Sequence, residues 1–201
     1  MKIETRVFSN DAIETRSEGD KTIVRGHAAV FNKRSENLGG FVEIIAPGAF
    51  DDVMDDDVRA LFNHDANLIL GRSKSGTLAM SIDDTGLAYE IDLPDTQAGR
   101  DLDVSMKRGD VDQSSFAFSV KDDEWEDKDG QYIRTIKKVD RLFDVSPVTY
   151  PAYPDADAGV RSLEKFKESL EKAKSQSNEQ NIADLALRKA QIKVKELGAT
   201  G

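Results

Sequence analysis

Up to about residue 150, apolar residues recur with the period of two of a half-buried strand, or in short apolar runs closed by turn residues. Ile3 to Phe8 and Thr22 to Phe31 are rich in β-branched and apolar residues, and Phe41 to Ile45 is a third such run, stopped by Pro47-Gly48. Ala49 to Met54 then fits a short helix. Val58, Ala60 and Phe62 alternate toward the polar Asn63-His64-Asp65. Thr77 to Ile82 and Leu87 to Leu93 flank Asp83-Asp84-Thr85-Gly86, a hairpin turn sequence. Strand character returns in Ser114 to Val120, Tyr132 to Val139 and Leu142 to Val148, and Pro147, Pro151 and Pro154 break it.

Two stretches carry a helical period instead. Ala98, Leu102 and Met106, spaced by four, predict one helix over 96–108 that Gly109 ends. Ser162 is a candidate N-cap, followed by Leu163, Phe166, Leu170 and Ala173 on one helix face. Ser175 to Asn181 interrupts this pattern, and Leu187, Ala190, Val194 and Leu197 resume it. Such short polar helices are marginal alone, so they are expected to dock on a partner or stay partly disordered. The expected fold is α+β and mainly β: a domain over 1–160, then a polar, basic helical tail over 161–201.

Charge sharpens that boundary. Residues 1–160 hold 19 Lys+Arg against 32 Asp+Glu, net −13, whereas 161–201 hold 9 against 6, net +3. An acidic body disfavours nucleic acid as the main ligand, because phosphate binding needs a positive face. There is no apolar run of the roughly 18 residues a membrane span needs, and the start lacks the apolar stretch of a secretory signal. With no cysteine there is no disulfide, thiolate metal site or cysteine nucleophile, which fits a reducing cytoplasm. The two histidines, His27 and His64, make a multi-histidine zinc site untenable.

Few residues can then carry chemistry. Alternation through Ser114 to Val120 sends Phe116, Phe118 and Val120 to one face, and Ser115, Ala117 and Ser119 to the other. That second face is made of small residues, which lets a substrate backbone approach Ser115; Ser114 falls on the Phe face. An ordinary half-buried strand has the same pattern. His64 follows a strand, and an imidazole with an ordinary pKa of about 6.5 can take a serine proton near neutral pH. A surface histidine in a polar turn is the plainer alternative. His27 lies mid-strand and reads as structural. Asp144 sits inside an apolar strand, where an unpaired carboxylate is costly. A histidine Nδ1–H would suit it, as would Arg141 or solvent. The acidic runs at 51–52, 55–57 and 122–124 lack calcium-loop spacing and read as solvated loops.

The ordered set of short motifs resembles the caudoviral prohead protease family of tailed phages. The set runs from Gly26-His27-Ala28-Ala29-Val30-Phe31-Asn32 through Pro47-Gly48-Ala49-Phe50, Leu61-Phe62-Asn63-His64-Asp65 and Leu93-Pro94-Asp95-Thr96. It continues through Ser115-Phe116-Ala117-Phe118 to Val145-Ser146-Pro147-Val148-Thr149-Tyr150-Pro151. Gln113 and Ala117 stand where that family often has glycine. The resemblance implies a β-barrel with surrounding helices, related to herpesvirus assemblin. It implies His64 and Ser115 as catalytic pair, with Asp144 the residue that fits a third polar position. It further implies a serine endopeptidase that needs no cofactor. The substrates would be the scaffold portion of the major capsid protein and the enzyme itself. The site of action would be the immature capsid in the host bacterial cytoplasm, and a homodimer is compatible. The alternative is a non-catalytic capsid assembly or scaffold protein that retains the fold.

Overall fold

The structure, a computed structural model, describes residues 3–8, 13–150, 159–172 and 175. Contacts divide the chain into Met1–Val160 and Arg161–Gly201. In chain order the strands are β1 (Glu4–Phe8), β2 (Glu14–Glu18), β3 (Lys21–Val30), β4 (Phe41–Ile45) and β5 (Arg59–Phe62). Then follow β6 (Asp65–Arg72), β7 (Leu78–Ile82), β8 (Gly86–Asp92), helix α1 (Gln97–Arg108), β9 (Gln113–Lys128) and β10 (Gln131–Val148).

They form a mainly β architecture of two sheets. The first runs β1-β9-β10-β5-β6, with β4 also on β10; the second runs β2-β3-β8-β7. Single bridges, Phe31 to Ile45 and Arg34 to Ile44, link the segment after β3 to β4. Beyond these, no strand pairing among the described residues closes the sheets into a barrel. Phe50 meets Phe116 edge-on at 5.6 Å between ring centroids, and Phe116 stacks on Phe118 at 4.6 Å. Phe116 and Phe118 therefore point into the core, as alternation predicts, and Leu102 and Met106 of α1 join them. The Thr96 side chain caps α1, and Gly109 ends it at φ 79°, a left-handed conformation that suits glycine.

Several expectations need correction. The helix expected over Ala49 to Met54 is one 3₁₀ turn, Asp51–Val53. Strands β2 and β6 escaped prediction because most of β2 and half of β6 face solvent, leaving no apolar period. Strands β9 and β10 are longer than the predicted pieces, and bulges in β10 absorb the breaks in alternation. Pro147 lies within β10, not at a break. The tail helix covers residues 159–172, starting before Ser162; the second tail helix falls outside the described residues.

The acidic runs are not merely solvated. Asp57 makes a bidentate pair with Arg72 at 2.7 and 2.6 Å, and this hydrogen bonding lowers its pKa to about 2. Asp56 accepts the Leu142 N–H at 2.9 Å. Asp123 joins a buried charge cluster. There Arg6 binds Glu43 (2.7 Å) and Glu4 (2.5 Å), while Arg134 binds Glu4 (2.7 Å), Glu43 (3.0 Å) and Asp123 (2.6 Å). Glu4, Arg6, Glu43 and Arg134 are each at most 5% exposed. Buried charges need such mutual pairing, since removing one partner strands another.

Candidate active site

Three strands and one turn assemble the site. Strand β9 pairs antiparallel with β10, setting Ser115 opposite Ser146 and Ala117 opposite Asp144. Residues Ser115, Ala117, Asp144 and Ser146 thus share one sheet face, away from Phe116 and Phe118. Strand β5 runs parallel to the end of β10, with Arg59 beside Asp144 and Ala60 beside Val145. The β5–β6 hairpin therefore delivers its turn to the Ser115 face.

That turn is Asn63-His64, flanked by the pair Phe62 and Asp65. Both residues have positive φ, 54° and 60°, as a two-residue type I′ turn requires. The β9–β10 hairpin has the same sign pattern at Asp129-Gly130, where glycine takes the second position at little cost. At the β5–β6 turn histidine occupies it instead, a conformation that costs on the order of 1–3 kcal/mol unless its surroundings hold it. They do. The Asn63 N–H donates to the Pro147 carbonyl at 3.0 Å, and Asn63 Oδ1 accepts the Thr149 N–H at 2.9 Å. The imidazole itself is fixed at both nitrogens.

The sequence-predicted residues come together in one chain of hydrogen bonds. His64 Nδ1 is 2.5 Å from Asp144 Oδ1, and His64 Nε2 is 2.6 Å from Ser115 Oγ. With Nδ1–H donating to the carboxylate, Nε2 is left as an acceptor for the serine hydroxyl. Arg141 does not pair with Asp144; its guanidinium lies over the Phe143 ring. His27 is elsewhere, on β3, paired with Asp83 at 2.8 Å. Ser114 is on the other face, where its Oγ meets the Tyr89 hydroxyl at 2.7 Å.

Sequence reasoning missed two contacts. Ser146 Oγ donates to the same Asp144 Oδ1 at 2.7 Å, from a fully buried position. Strand alternation carried that signal, since residues 144 and 146 share a face within an apolar strand. The second is the Arg6 main-chain carbonyl, whose oxygen is 2.9 Å from Ser115 Oγ. No side-chain pattern encodes a backbone group. Ser115 itself has no exposed surface, whereas the His64 side chain is 21% exposed and that of Asp144 11%.

The arrangement can move a proton from a hydroxyl to an imidazole backed by a carboxylate, the requirement for serine-based acyl transfer. The chain is 30% identical over 167 residues to the prohead protease of Enterobacteria phage HK97, covering 80% of this chain and 68% of that protein. Among solved structures, the bacteriophage T4 capsid assembly protease aligns over 75% of this chain and all of that one, at 12% identity and a TM-score of 0.46. The family model described as caudovirus prohead serine protease matches residues 11–170, most of the chain, and so the chain belongs to the caudovirus prohead serine protease family.

Proposed function

We propose that the chain is the capsid-maturation endopeptidase of a tailed phage, with Ser115 as nucleophile, His64 as general base and Asp144 as the carboxylate that orients His64. The observation that carries this is the unbroken Asp144–His64–Ser115 hydrogen-bond chain. As Ser115 Oγ bonds to a peptide carbonyl carbon, its proton passes to His64 Nε2. Asp144 stabilises the imidazolium. The Nε2 proton then goes to the departing amine, the C–N bond breaks, and an acyl-enzyme remains. Water then adds to the acyl carbon, giving a proton to His64 Nε2; the C–Oγ bond breaks, Oγ takes that proton back, and the acid and free Ser115 are released.

The substrates in this reading are the scaffold portion of the major capsid protein and the enzyme itself, within the immature capsid in the bacterial host. Co-expression with the capsid protein, followed by mass spectrometry, tests the reading. Processing should vanish in Ser115→Ala and persist in Ser114→Ala; equal processing by wild type and Ser115→Ala would reject it. The buried state of Ser115 is the observation favouring a second reading, a non-catalytic assembly protein that retains the fold. Covalent labelling with a fluorophosphonate separates the two, since only an activated serine reacts.

A further inference from the structure

We propose that the edge of β9 beside Ser115 is a slot for an extended peptide substrate, and that the chain's own β1 fills it here, holding the site self-blocked. This rests on the protease reading above and adds a binding site and its control.

Strand β1 runs antiparallel along β9, with Val7 opposite Ser115, Arg6 opposite Phe116 and Glu4 opposite Phe118. Ser115 is left with no exposed surface. The Arg6 carbonyl presents its oxygen, not its carbon, to Ser115 Oγ at 2.9 Å. A serine hydroxyl has one hydrogen, and here two acceptors face it: this carbonyl and His64 Nε2 at 2.6 Å. Strand β1 therefore lies where a peptide would lie, in a pose that engages the nucleophile without offering it a carbon to attack.

The contacts holding β1 are suited to exchange. Val7 is only half-buried, and Ile3, just before the strand, is 52% exposed. The strand is held instead by Glu4 and Arg6 in the charge cluster. Those two pair with each other, and Arg134 pairs separately with Glu43 and Asp123. When β1 leaves, each half keeps an internal partner, so neither side strands a lone charge. The departure uncovers the main-chain N–H and C=O groups of β9, which a peptide strand satisfies by pairing in the same register. Gln113, two residues before Ser115 on the same face, adds a buried Oε1 with no hydrogen-bond partner, an acceptor for a peptide N–H. The register also states a preference. A basic residue opposite Phe116 meets Glu43, and an acidic residue two positions earlier, opposite Phe118, meets Arg134.

The absence of cysteine makes a clean test available. Thr5 and Ala117 are register partners. Antiparallel partners lie about 4.5–5.5 Å apart at Cα, within disulfide range. In full-length Thr5→Cys/Ala117→Cys, a fluorophosphonate should fail to label Ser115 when the disulfide is closed and label it after reduction. Weakening β1 with Glu4→Ala/Arg6→Ala should raise the wild-type labelling rate about tenfold by enlarging the open population. A peptide of residues 3–8 added to that variant should slow labelling again, and a scrambled peptide should not. Equal labelling of the closed and reduced forms overturns the proposal while leaving the protease reading intact, because Ser115 still reacts. So does Glu4→Ala/Arg6→Ala labelling no faster than wild type. If no folded form labels more than Ser115→Ala does, the serine is not a nucleophile and both readings fall.

Discussion

Asp144 carries two obligations on one oxygen: Oδ1 accepts both from His64 Nδ1 and from Ser146 Oγ. The second donor holds the carboxylate so that the first meets it squarely. Asp144→Asn should therefore cost more than Ser146→Ala. The asparagine loses the charge that stabilises an imidazolium, a defect worth on the order of 10⁴-fold in comparable triads. Removing the Ser146 hydroxyl leaves the charge and loosens its aim, an effect of about tenfold, or roughly 1.4 kcal/mol. Steady-state kinetics should show both losses in kcat and little change in KM, and an unchanged kcat for Ser146→Ala would show that Asp144 needs no second donor. Residue type and alternation singled out Ser115, His64 and Asp144 as candidates, and the family resemblance grouped them. Ser146 was readable in principle, by the same rule that set Phe116 and Phe118 inward. What alternation could not supply was distance: nothing along the chain tells that His64 and Asp144, 80 residues apart, meet.

The β5–β6 hairpin is an element whose tip works against its own conformational preference, and its anchors explain why it stays in place. Asp57 and Arg72 clamp its base, while Asn63 ties its tip to Pro147 and Thr149. Asn63→Gly should retain the positive φ and lose only the Oδ1 anchor. Asn63→Ala loses the anchor and places a Cβ in the left-handed region, so it should be the less stable of the two by about 1 kcal/mol. Thermal melts of both variants, beside their turnover, check the ordering; equal melting temperatures would mean that the anchor alone sets the turn. Elements of this kind were the least legible. The hairpin's second strand, β6, has half of its residues exposed and its pairing register jumps from Asp65 to Ile69. The outer half of β9 was hidden similarly, because Lys121 to Lys128 is charged throughout except at Trp125. Strands with two solvated or ion-paired faces carry no apolar period, so sequence reading finds the core and misses the rims.

At the scale of the molecule, the first sheet is closed at one edge by charge rather than by oil. Burial opposes ionisation of Glu4, but hydrogen bonding and charge from Arg134, then Arg6, outweigh it and hold the carboxyl below the usual glutamate range. A lowered folded-state pKa gives stability that is fully present above the unfolded value, near 4.3, and lost as pH falls through the folded one. Glu4→Gln should therefore be less stable than wild type at pH 7 and converge with it in acid; denaturant melts from pH 7 to 3 read the difference. A constant gap would assign the Glu4 effect to packing. The serine's place in this sheet has a further consequence, for how such a chain can change in length. Ser115 faces His64 because strands β9 and β10 hold one register from Gln113 to Ala117. One residue inserted there would turn Phe116 away from the core and Ser115 into it, since each single step in a strand exchanges faces. The Asp129-Gly130 turn, at the far end of the same hairpin, carries no such constraint. Viable insertions and deletions should therefore collect at that tip, and lineages of this enzyme should differ in the reach of the hairpin while the stretch around the serine keeps its length.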